Sequence, residues 1–130
     1  MRMKPTLEFQ DAEAIGAACR AQAERDGARV AIAVVDEAGV LLHLQRLDGA
    51  KPHAVDLASR KARTAAALGL PTAILEQMAK EGRLPPTDVL ALGGGLPVML
   101  DGQCAGAIGV SGATSEVDES IAAAGVALPK

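Results

Sequence analysis

The chain has 130 residues, a length that supports one hydrophobic core and falls short of two. Nearly half of the residues are hydrophobic, yet there is one Phe and neither Tyr nor Trp, so the core has to be assembled from Ala, Val, Leu and Ile. Against 16 acidic residues stand 13 basic ones that form no run and no aromatic-interleaved patch, which argues against a nucleic-acid binder.

In chain order, Thr6 is placed to cap a first helix running to about Arg25, with Ala14, Ile15, Ala18, Cys19 and Gln22 at helical spacing and Gly27 beyond its end. The β-branched run VAIAVVD (30–36) predicts a strand covered on both faces. After Glu37-Ala38-Gly39 comes VLLHLQR, so Val30 to Arg46 reads as a β-hairpin, with Asp36 as a turn residue. LDGAKPH is then a loop, Ala54 to Leu68 a helix ended by Gly69 and Pro71, Thr72 to Lys80 a short helix, and GRLPP a turn. Leu96 to Leu100 and Gln103 to Val110 form a second hairpin around Asp101-Gly102, a type I′ turn signal. Ser115 with Asp118 gives a capping-box pattern, Val117, Ile121 and Ala124 share a helical face, and Gly125 closes that last helix. Hairpins imply an antiparallel sheet, and apolar residues on both strand faces imply helices on both sides. The expected class is α+β, one domain over residues 1–130, an α/β/α sandwich of profilin-like or PAS-like shape.

Small side chains bury little area apiece, so apolar helix faces left over after folding favour a homo-oligomer. No stretch approaches the ~20 apolar residues of a membrane span. The segment MRMKPTLEF lacks the apolar core of a signal peptide, so the expected location is the cytoplasm. Cys19 and Cys104 show no metal-site spacing and read as inert thiols.

The glycine-rich stretch 91–112 fits neither nucleotide motif. Gly93-Gly94-Gly95 leads into a strand, and Gly109-Val110-Ser111-Gly112 has no Lys or third glycine in register. Residues 109–114 do pass from a strand into a helix start, where free backbone N–H groups suit a carboxylate or phosphate. The same loop is equally explained by close packing and a helix cap.

Taken in order, VAIAVVDEAGVLLHLQRLDGA, ASRKARTAAAL and GGGLPVMLDGQCAGAIGVSGATSEVDESIAAAGV resemble the family of GlcG-like and HbpS-like haem-binding proteins, related to the C-terminal domain of PduO-type proteins. The resemblance spans roughly Thr6 to Val126, with Leu47 where the family commonly has Met in RLDGA. It implies the α/β/α fold, assembly into homo-oligomers and, for some members, haem binding or degradation.

Lys61 falls on the apolar face of the 54–68 helix, an unusual place because burying an ammonium is costly unless it is paired. Its expected role is a snorkelling stem, an ion pair with Asp36 or Asp48, or a cation for an anionic ligand such as a carboxylate or a haem propionate. Arg46, Asp48 and Lys61 form the most credible charged cluster outside the glycine loop, and they are the catalytic candidates. The family's haem draws attention to the histidines, since haem iron takes imidazole, thiolate, thioether or phenolate. His43 lies mid-strand, whereas His53 in the KPH loop is the better axial ligand. The ligand-binding candidates are therefore His53, Lys61, Gly109, Ser111 and Gly112, with His53 at the iron. The leading expectation is an oligomeric small-ligand protein with haem as the possible cofactor, and the alternative is a lyase or isomerase acting on an anionic metabolite. An accessory protein without chemistry is the third option.

Overall fold

Two hairpins whose turns are encoded in short motifs make up the sheet of the computed structural model, which describes residues 1–87 and 89–128. Helix α1 (Phe9–Asp26) precedes the first hairpin, β1 (Ala31–Asp36) and β2 (Leu41–Arg46). There Asp36 Oδ1 accepts the N–H groups of Ala38 and Val40 at 2.9 and 3.0 Å, the turn role expected of it. After α2 (His53–Leu68) and α3 (Thr72–Lys80) comes the second hairpin, β3 (Gly95–Leu100) and β4 (Gln103–Ser111), then α4 (Ser115–Val126). Its turn residues Asp101 and Gly102 have φ of 51° and 75°, both positive as a type I′ turn demands. The two hairpins join through β1 and β4 into a four-stranded antiparallel sheet of order β2-β1-β4-β3.

Period-two alternation in β1 sorts its side chains by size as well as by face. Val30, at its entrance, and Ile32 and Val34 turn towards α1 and α4, where they meet Ile15, Cys19 and Ile121 together with Ile108 and Val110 of β4. Ala31, Ala33 and Val35 turn the other way, against Ala54, Ala58, Ala62 and Ala65 of α2. Each buried Val or Ile on the first face contributes about 1.5–3 kcal/mol. Alanine contributes less but brings backbone close to backbone. The approach is tightest at Gly109, where a Cβ would run into the Ala58 carbonyl and lie 2.6 Å from Ala62 N. On the opposite face a Cβ at Gly125 would lie 2.7 Å from Cys19 Sγ, so this glycine lets α4 settle on α1.

Three helix ends differ from the sequence expectation. Glu8, not Thr6, is the N-cap of α1, and its N–H donates to Asp11 Oδ2 at 2.8 Å. Thr6 instead donates its hydroxyl to Glu37 Oε1 at 2.8 Å. His53 is the first residue of α2 rather than the last of the preceding loop, and Gly125 lies inside α4, which ends at Val126. The start of α1 is a local capping box between Glu8 and Asp11, whereas Gly125 stays in the helix where α4 packs against Cys19. Among the described residues no helix is long and apolar enough to cross a membrane.

Candidate functional site

Helix α2 carries His53, Leu57 and Lys61 at positions i, i+4 and i+8, so these side chains follow one stripe about 12 Å long. That stripe is one wall of a cleft of ≈ 470 Å³, within the ~300–1,000 Å³ usual for small-ligand sites. The end of β4 and the start of α4 form the facing wall with Ser111, Gly112, Ala113, Ser115 and Asp118. Arg29, Gly49, Lys51, Ala54 and Leu92 complete the lining.

At the closed end Lys61 is only 3% exposed. Its ammonium donates to Asp118 Oδ2 at 3.1 Å and to the Val110 carbonyl at 2.9 Å. An ammonium has three protons, so one is left for the cleft. Asp118 is equally buried, and its other oxygen accepts the Ala113 N–H at 3.0 Å. Burial pushes the Asp118 carboxyl above the ordinary aspartate range, while the Lys61 charge and the Ala113 N–H pull it back. Beside this pair Ser111 is 4% exposed, and its hydroxyl has no hydrogen-bond partner among the described residues.

A second carboxylate positions the facing wall from outside the cleft. Glu76 Oε1 on α3 accepts the Ser115 hydroxyl at 2.6 Å and the Gly93 N–H at 2.9 Å, tying the approach to β3 to the start of α4. The Ser115 hydroxyl, with the Gly93 N–H, holds the Glu76 carboxyl below its usual range. Gly95 N–H donates to Thr72 Oγ1 at 2.8 Å, and Gly94 accepts Val110 N–H at 2.9 Å, so the three glycines bring the chain in against α2, α3 and β4.

Several sequence expectations need correction here. The counter-ion of Lys61 is Asp118, not Asp36 or Asp48. Asp118 is not the cap partner of Ser115 either, because Thr114 Oγ1 caps α4 by accepting the Val117 N–H at 3.2 Å. Arg46 and Asp48 are exposed and do not line the cleft, so Lys61 has no charged cluster with them. Gly109 lies beneath the α2 backbone, whereas Ser111 and Gly112 line the cleft and His53 stands exposed at its mouth. His43 sits under α1 instead, its Nε2 2.9 Å from the Gln45 amide nitrogen, which donates to the Gly16 carbonyl at 3.0 Å.

Sequence reasoning missed Arg29, Lys51 and Ser115 as lining residues and the pairing of Asp118. One signal for Asp118 was present. It shares the buried stripe of α4 with Ile121, Ala122 and Gly125, at i+3, i+4 and i+7, and a carboxylate on such a stripe requires a partner.

Residues 7–127 match the family described as "Haem degrading protein HbpS-like". The chain is 41% identical over 114 residues to Protein GlcG of Escherichia coli (strain K12), an alignment covering 85% of each chain. It superposes on a double mutant of Streptomyces reticuli HbpS with TM-score 0.90 and 37% identity, covering 100% of this chain and 91% of the other. The structure described as a PduOC:heme complex gives TM-score 0.85 and 28% identity over 94% of both chains.

Proposed function

The chain belongs to the HbpS-like family, and from that premise we propose that it binds a haem-type anionic tetrapyrrole in the cleft between α2 and the start of α4. The observation that carries this reading is His53, the one imidazole lining the cleft, exposed and sharing its lining with the cations Arg29 and Lys51. An imidazole for iron, cations for propionates, and Ala54, Leu57 and Leu92 for the ring edge are a donor set that fits the group. Among the described residues no three His, Cys, Asp or Glu side chains are grouped to hold a bare metal ion. A haem iron would need from the protein only a ligand such as the His53 imidazole. Bound haem would supply a redox-active iron.

The roles of the chain's own residues follow from their positions. His53, in the first turn of α2, offers a ring nitrogen at the open end, where a large planar ligand enters without unfolding the fold. Arg29 and Lys51 give the mouth its positive charge, and Lys61 is neutralised by Asp118. The test is a hemin titration followed in the Soret band. A saturable Soret shift that His53→Ala abolishes is the expected result. No shift in the unaltered protein, or the same spectrum in the variant, would sink the proposal.

We also propose that copies of the chain associate. Supporting this are Leu41 and Leu44 of the edge strand β2 and Val40 just before it, all apolar and exposed. A monomeric mass by light scattering at micromolar concentration would refute it.

A further inference from the structure

We infer that the closed end of the cleft is a seat for one carboxylate group of the ligand, built from Ser111, Lys61 and the first turn of α4. The inference rests on the cleft being the ligand site, and not on the ligand being haem. Ser111 is the observation that points to a ligand: a side chain 4% exposed, on the wall of a cleft, with no hydrogen-bond partner among the described residues. Its oxygen reaches the cleft, since Gln103 Oε1 is the one fully buried unpaired side-chain atom among the described residues, so the partner of this hydroxyl is what enters the cleft. Beside it Lys61 has spent two of its three protons, on Val110 and Asp118. The start of α4 adds donors, because Val117 N–H is taken by Thr114 Oγ1 and Asp118 N–H by the Thr114 carbonyl. The N–H groups of Ser115 and Glu116, the first two residues of the helix, have no intrahelical acceptor.

What remains unspent at this end is therefore donors, together with a hydroxyl that serves either way. The one acidic group, Asp118, already takes Lys61 and Ala113. A pocket in which unspent donors predominate suits a group that only accepts. Its charge is limited as well, because a dianionic phosphate would sit beside the Asp118 carboxylate, whereas a single carboxylate carries half that repulsion. Arg29 and Lys51 at the mouth favour an anion over a neutral carbonyl. A carboxylate of this kind is supplied either by a tetrapyrrole propionate or by a free small organic acid.

Both sources are tested with Ser111→Ala, a substitution that removes one oxygen from a strand end, with an unchanged far-UV circular dichroism spectrum as the check that it folds. The probes are hemin, hemin dimethyl ester and sodium propionate, the last followed by amide shifts of residues 112–116 in NMR spectra. A propionate source predicts that Ser111→Ala weakens hemin about tenfold and leaves the ester unchanged, the loss of one hydrogen bond to a charged group. A free-acid source predicts saturable propionate shifts that disappear in Ser111→Ala, whatever hemin does. If hemin binding is absent while Ser111-dependent propionate binding persists, the seat stands and the haem reading falls. If hemin needs His53 but is indifferent to Ser111, and propionate gives no saturable shifts, the haem reading stands and the seat is refuted. Absence of both hemin binding and propionate shifts refutes the seat as well.

Discussion

Replacing Lys61 with Met keeps the length of the side chain and removes its charge, which leaves Asp118 buried without a counter-ion. At 3.1 Å and an effective dielectric constant of ~20 the lost attraction is about 5 kcal/mol, although much of that only offset the desolvation of the two ions. Breaking one side of a buried pair usually costs ~3–5 kcal/mol. The loss has a ceiling here, because Asp118 can take up a proton. In the unfolded chain an aspartate titrates near pH ~3.9, so neutralising it at pH 7 costs about 4 kcal/mol, and at pH 5 about 1.5 kcal/mol. In the variant the folded carboxyl lies well above its unfolded value, so the folded state binds the extra proton and stability falls as pH rises between them. Lys61→Met is therefore expected to lose about 3–4 kcal/mol at pH 7 and to recover about 1.4 kcal/mol for each unit of acidification towards pH 5. Adding Asp118→Asn keeps the acceptor for Ala113 N–H and removes the titrating group. The double variant is then more stable than Lys61→Met at pH 7, with the difference shrinking towards pH 5. Without Trp or Tyr the readout is urea unfolding followed by far-UV circular dichroism. A difference that stays constant from pH 5 to 7, or one below about 1 kcal/mol at pH 7, would refute the reasoning.

Two further outcomes follow from packing. Gly109→Ala drives a Cβ into the Ala58 carbonyl of α2, a collision with backbone that no rotamer relieves, so its cost belongs at the top of the ~1–3 kcal/mol range for overpacking; an unchanged melting temperature would contradict the close approach. Cys19 is buried, and burial pushes its thiol up to about 12, while Cys104 is partly exposed. Native protein at pH 8 should therefore label one thiol with a disulfide reagent and two in denaturant, and rapid native labelling of Cys19 would show that α1 and α4 do not pack as described.

Hairpins, helices and their order were legible because each rests on interactions a few residues apart. A positive φ at Asp101-Gly102, an aspartate folding back on its own turn at Asp36 and period-two alternation in β1 all act locally. The lysine on an apolar helix face was legible too, as was the strand-to-helix loop from Gly109 to Thr114. Tertiary structure alone decided what these features meet. Lys61 and Asp118 are 57 positions apart, and nothing within one helical turn of Lys61 says which carboxylate will reach it. Their pairing follows from α2 lying on the small-residue face of the sheet while α4 starts where β4 ends. The same packing leaves Arg46 and Asp48 outside, brings Arg29 and Lys51 to the cleft, and sets Ser111 on the cleft wall. Local sequence sets the backbone conformations, and only the docking of those elements sets which polar groups are left to bind a ligand.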